Sequence, residues 1–88
     1  MLNHYHIKIK GKLNHLGYKL QTMILANKHH IQGKVSEGVN LIEIDAEGEE
    51  AKLEAFVDAC KKEINGDKLD EIIIEKRPLA YYDEFTIQ

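Results

Sequence analysis

The chain has one cysteine, Cys60, one arginine, Arg77, and no apolar run approaching a membrane span. Each shortage excludes something. A lone cysteine rules out an internal disulfide and fits a reducing compartment. The formal net charge of -3 lacks the basic footprint that non-specific nucleic-acid binding needs. Met1-Leu2-Asn3-His4-Tyr5-His6 has neither the basic start nor the apolar stretch of a signal peptide. A G-x-S-x-G elbow, a complete G-K-[ST] phosphate motif and a C-x-x-C pair are all missing. So are internal repeats, low-complexity runs and linkers. The expectation is a single cytoplasmic domain, residues 1–88, with no nucleic-acid or membrane partner.

With 43% hydrophobic and 31% charged residues, the composition is that of a globular protein. Tyr5, Ile7 and Ile9 alternate with His6, Lys8 and Lys10, the period of a half-buried strand. Leu16, Leu20, Met23, Ile24 and Asn27 then fall on one side of a helix, flanked by Tyr18 and Leu25. Ile31, Gly33 and Val35 begin a second strand, a turn follows around Glu37-Gly38, and Leu41 to Ala46 reads as a third strand with Ile42, Ile44 and Ala46 inward. Gly48-Glu49-Glu50 opens a second helix whose stripe is Leu53, Phe56, Val57, Cys60 and Ile64, and Asn65-Gly66 stops it. Cys60 reads there as a packing thiol. Three consecutive isoleucines, Ile72–Ile74, predict a fourth strand that is central or well covered. Pro78 ends it, and Tyr81–Ile87 reads as a short strand at a sheet edge. The order β-α-β-β-α-β predicts an α+β, ferredoxin-like βαββαβ plait: an antiparallel sheet, both helices on one face, and a C-terminal edge strand. The other face is expected to be open to water, with Lys8, Lys10 and Lys34 facing Glu43, Asp45 and Glu75.

The connection from first strand to first helix reads Gly11-Lys12-Leu13-Asn14-His15-Leu16-Gly17-Tyr18-Lys19. A glycine-framed turn ending at a helix N-terminus aims backbone N–H groups and the positive end of the helix dipole at one point, which suits an anion. This stretch resembles the acylphosphatase signature, roughly G-[RK]-V-Q-G-V-x-[FY]-R. Ile31-Gln32-Gly33-Lys34-Val35 resembles that family's L-x-G-[WT]-V strand. Ala46-Glu47-Gly48 with Leu53-Glu54-Ala55-Phe56, and Glu75-Lys76-Arg77-Pro78 with Phe85-Thr86-Ile87, resemble its later pieces in the right order. The resemblance implies hydrolysis of the carboxyl–phosphate bond of small acyl phosphates, with no cofactor and no metal, and with inorganic phosphate as a further ligand.

It also implies roles by position. The backbone of Lys12, Leu13, Asn14, His15, Leu16 and Gly17 becomes the phosphate cradle. The phosphate-holding arginine falls on Lys19, which keeps the charge and loses the planar fork. A family glycine falls on His15, whose side chain crowds the approach of a ligand to the backbone. The water-positioning asparagine falls on Glu37 when aligned through Gly33, on Ser36 when aligned back from Ala46, and Asn40 lies nearby. These departures predict weak or lost activity. The competing expectation is a non-catalytic domain that binds an anion, or a protein on the open sheet face.

Three side readings stand beside this. His4 and His6, with His15 near the same sheet end, invite a metal, against the plainer reading that His4 and His6 lie on the solvated face beside Lys8 and Lys10. His29-His30 suits the negative end of a helix. Tyr81, Tyr82 and Phe85 offer stacking surfaces for RNA bases, but Ile7–Lys10 and Leu41–Ala46 lack the aromatic strand signature of RNA-binding modules.

Overall fold

The computed structural model describes residues 1–11, 15–64 and 69–88, without the side chains of residues 15, 16, 63, 64, 69 and 70. Its elements are β1 (Leu2–Gly11), α1 (His15–Lys28), β2 (Gln32–Gly38), β3 (Leu41–Glu49), α2 (Glu50–Ala59), β4 (Leu69–Arg77) and β5 (Phe85–Ile87). The last turn after α2, Cys60–Ile64, is π-helical. The sequence-derived stop at Asn65-Gly66 lies outside the described residues, as does the loop stretch Lys12–Asn14. No described helix is long and apolar enough to cross a membrane.

Among the described residues the strands form one sheet in the order β4-β1-β3-β2-β5. β1 pairs antiparallel with β3 and β4, and β2 antiparallel with β3. The expected plait is present, but the sheet is mixed, because β5 runs parallel to β2. The chain reaches that edge by crossing from β4, at one side of the sheet, to β2 at the other, and the crossing takes up Tyr81–Glu84. The final strand is therefore confined to Phe85–Ile87.

Strand alternation gives each sheet face its character. Ile7, Ile9, Val35, Ile42, Ile44 and Ala46 point to the helices and are buried with Leu53, Phe56 and Cys60 of the second helical segment. Phe56 meets Phe85 edge-on, at a centroid distance of 6.4 Å. Gly33, opposite Phe85 in the ladder, has φ +146°, and a Cβ there would collide with the Asp45 carbonyl oxygen. Only glycine fits so close an approach of β2 to β3.

α1 is rotated from the face its leucines suggest. Tyr18, Lys19, Thr22, Leu25 and Ala26 are buried, whereas Leu20, Ile24 and Asn27 are exposed. Thr22 Oγ1 donates to the Tyr18 carbonyl, 2.8 Å away, so its hydroxyl is satisfied within the buried stripe. The long lysine stem counts as apolar surface, and the face follows positions 18, 22, 25 and 26 rather than 20, 24 and 27. The helix ends in paired bonds, Ile31 N–H to Ala26 O (2.8 Å) and His30 N–H to Asn27 O (3.3 Å). His30 takes φ 58° there. This is a Schellman ending with histidine in the left-handed position and buried Ile31 beyond it.

Two further expectations give way. Ile72–Ile74 belong to an edge strand, and Ile74 is 40% exposed. Flanking charges Glu71, Glu75, Lys76 and Arg77, all exposed, protect this edge. The turn between β2 and β3 is the two-residue loop Val39-Asn40 rather than Glu37-Gly38, which lie within β2. Asn40 takes φ 55°, a conformation asparagine tolerates.

Candidate active site

Lys19 stands one turn into α1, on the helix side of the sheet, and its side chain is only 10% exposed. A buried ammonium needs partners. Its Nζ donates to Glu37 Oε1 at 3.1 Å and to the Gln88 main-chain oxygen at 3.4 Å. The three residues come from α1, the end of β2 and the segment after β5. Parallel pairing holds that last segment in place: Gly33 N–H donates to Glu84 O, and Gln88 N–H to Val35 O. The fold thus converges the cation, a carboxylate and a carbonyl on one end of the sheet.

Of the residues aligned with the water-positioning place, Glu37 is the one brought to Lys19. Ser36, one step along the strand and paired with Glu43, takes the opposite face. Asn40 sits in the hairpin loop, where its carbonyl accepts from Gly11 N–H at 3.2 Å. It ties the turn to the end of β1, where the chain leaves for α1. Gly17 lies exposed in the first turn of α1. Lys12, Leu13 and Asn14 lie outside the described residues, and of His15 and Leu16 only the helical backbone is described. Tyr18, at the signature's aromatic position, is buried, and its hydroxyl has no hydrogen-bond partner among the described residues. Burial above all pushes its pKa up, which keeps it neutral.

A second polar cluster occupies the other face, and sequence reasoning missed it. His4 and His6 are buried, not solvated. His4 donates through Nδ1 to the Pro78 carbonyl (2.8 Å), and its Nε2 meets Asp45 Oδ1 (2.8 Å). His6 Nδ1 reaches the same Asp45 oxygen at 3.0 Å. Glu47, buried beside them, accepts from Ala80 N–H at 2.7 Å and Tyr82 N–H at 2.9 Å. Tyr81 between them has φ 58°, a kink that turns both amides to one carboxylate. The Tyr82 ring stands edge-on to His4. Residues 78–82 therefore form a strap over a face expected to be open. Asp45 and Glu47 are each pulled below the ordinary carboxyl range. In Asp45, burial, which acts the other way, is outweighed by the hydrogen bonds and charge of His6 and His4. In Glu47 it is outweighed by the strap amides and His4. Among the described residues no group of three or more His, Cys, Asp or Glu side chains is arranged to hold a metal. The available signal was alternation: His6 pairs with Asp45 and His4 with Glu47 across β1 and β3, so every one of these side chains shares a face.

A groove of about 440 Å³ lies elsewhere, between α2 and β4, lined by Tyr5, Val57 and Ile74 within a charged rim. It shares no residue with the Lys19 cluster.

The βαββαβ order, with both helices on one face of the sheet, is that of a ferredoxin-like plait domain. The family model described as Acylphosphatase matches residues 5–87, and the chain belongs to the acylphosphatase family. It is 30% identical over 81 residues to an acylphosphatase of Clostridium acetobutylicum, covering 91% of this chain and 89% of that protein. The crystal structure of acylphosphatase from Bacillus subtilis superposes with a TM-score of 0.88 at 30% identity, covering all of this chain and 99% of that one. Full-length HypF, in a phosphate- and nucleotide-bound form, matches with a TM-score of 0.92 at 26% identity. All of this chain is covered there, but only 12% of HypF.

Proposed function

We propose that this chain is an acylphosphatase-type hydrolase that cleaves the carboxyl–phosphate bond of small acyl phosphates slowly, with Lys19 as its phosphate-holding cation. The observation that carries this reading is the buried Lys19 ammonium, fixed 3.1 Å from Glu37. Phosphoryl transfer is mostly positioning and stabilisation of charge on the equatorial oxygens. A fixed, poorly hydrated cation serves that purpose. Water adds to phosphorus, the bond to the acyl oxygen breaks, and a carboxylate and inorganic phosphate leave. Glu37 stands where the family's water-positioning residue is expected and accepts a proton from the attacking water. Two features slow the reaction. Lysine binds as a point charge where arginine would grip two oxygens, and the Glu37 carboxylate repels the incoming anion. The family match and the phosphate-bound HypF relative support an acyl phosphate as substrate. The net charge of -3 favours a small ligand over nucleic acid, and a cytoplasmic setting follows from the single cysteine.

A second reading, a non-catalytic anion-binding domain, is favoured by the replacement of the expected arginine by Lys19, a point charge that binds an anion without the bidentate grip. One assay separates the two. Wild-type protein is expected to hydrolyse a small acyl phosphate and to be inhibited by inorganic phosphate. Lys19→Arg raises the rate, and Lys19→Met lowers it about a hundredfold. An inert wild type whose Gly17 and Lys19 amide resonances still respond to phosphate selects the binding domain. An inert, unresponsive one removes both readings.

A further inference from the structure

We propose that Glu37 makes the Lys19 site selective for oxyanions that carry a proton, so that it accepts inorganic phosphate and refuses sulfate. The inference rests on the anion-site reading above and names the ligand class for that site. An oxyanion that accepts from Lys19 Nζ lies beside Glu37 Oε1, itself 3.1 Å from the same nitrogen. The Gln88 main-chain oxygen lies 3.4 Å from it on another side. The Lys19 side chain is nearly buried, while that of Glu37 is 42% exposed. Among the described residues the ligand therefore meets one side-chain donor and two acceptor oxygens. Neither a carboxylate nor a main-chain oxygen has a proton to give.

Sulfate is acceptor-only as well. Against Glu37 it leaves two sets of lone pairs facing each other, two like charges that share the single Lys19 cation. Phosphate near neutral pH keeps at least one P–OH. That hydroxyl donates to Glu37 or to Gln88 O while the other oxygens accept from Lys19, so every polar group of the cluster is paired. Specificity built on leaving the wrong ligand unpaired is worth more than specificity built on fit. The same chemistry ranks substrate and product. The second ionisation of a phosphate monoester lies near pH 6, so an esterified phosphoryl group is mostly without a P–OH at neutral pH, whereas released phosphate has one. Glu37 thus favours product over substrate, a source of slow turnover distinct from the loss of arginine.

The test is to titrate wild type and Glu37→Gln with sodium phosphate and with sodium sulfate, at matched ionic strength and about pH 6.5. The Gly17 and Lys19 amide resonances report binding, and thermal unfolding confirms that both proteins are folded. Wild type is expected to prefer phosphate by about tenfold or more. Glu37→Gln, whose amide donates as well as accepts, is expected to bind the two anions within about twofold of each other. Lys19→Met abolishes both responses. A wild type that takes sulfate as readily as phosphate, or a Glu37→Gln variant that keeps the preference, overturns the inference. If wild type binds neither anion and Glu37→Gln binds both alike, the selectivity falls and the anion site stands. If no variant responds to either anion, site and selectivity fall together.

Discussion

Lys19 and His4 are both buried basic side chains, on opposite faces of one sheet, and they keep very different company. His4 belongs to a closed network. Its ring nitrogens face Pro78 O and Asp45, Asp45 also meets His6, and neighbouring Glu47 holds two strap amides. Lys19 is held by one partly exposed carboxylate and one longer contact to a carbonyl. A network whose members satisfy each other within the chain rigidifies it and offers nothing to a ligand. A buried cation whose main partner reaches the surface lies within a ligand's reach. Burial of charge alone would nominate both clusters; the exposure of the partner distinguishes a clamp from a site.

Three experiments sharpen or break this contrast. The largest effect is expected from Glu47→Ala. It deletes two hydrogen bonds from backbone amides to a charged acceptor and frees the strap, for a loss of about 3 kcal/mol in denaturant unfolding. The phosphate response of Gly17 and Lys19 stays unchanged if the clusters are independent. A loss below about 1 kcal/mol would demote the clamp to a surface contact.

Acid comes next. Asp45 and Glu47 titrate below the ordinary carboxyl range in the folded chain, so the unfolded chain binds more protons than the folded one in that window. Their contribution is fully present above the unfolded carboxyl range of about 4, and it is lost as pH falls through the lower folded values. Melting temperature should drop as pH goes from neutral to about 3. Asp45→Asn should start lower and show a shallower drop, and an identical slope for both proteins would remove Asp45 from the balance.

The smallest effect on stability is expected at the other cluster. Glu37→Gln should move unfolding by less than about 1 kcal/mol, as for a partly exposed ion pair, while altering what the site binds. A loss as large as that of Glu47→Ala would make the Lys19 pair architectural as well.

How much was legible follows from which forces are local. The alternation of Ile7 and Ile9, of Ile42 and Ile44, and the Leu53, Phe56, Cys60 spacing each record one face of one element, and those residues are buried as read. Lys19 and Glu37 were both named from the resemblance, but the choice among Glu37, Ser36 and Asn40 turned on one residue of hairpin length. Strand parity shows only which of them meets Lys19: Glu37 shares the helix-side face with Val35 and Ile42. The misread elements failed for reasons of assembly. Periodicity in α1 favoured Leu20 and Ile24, yet the buried face is the one that carries Lys19 to partners in other segments. Three isoleucines suggested a central strand, but crossing from β4 to the far edge left β4 outermost.

By itself the sequence determined the plait, its order of elements, most of its core and the identity of the basic residue one turn into the first helix, because periodicity and turn chemistry act over a few neighbouring residues. Only the tertiary structure decided that His4 and His6 are clamped by Asp45 beneath a strap, that β5 runs parallel to β2, and that Glu37 rather than Ser36 meets Lys19. Each of these joins groups far apart along the chain, and such pairs are chosen by strand register and by the need of every buried charge for a partner.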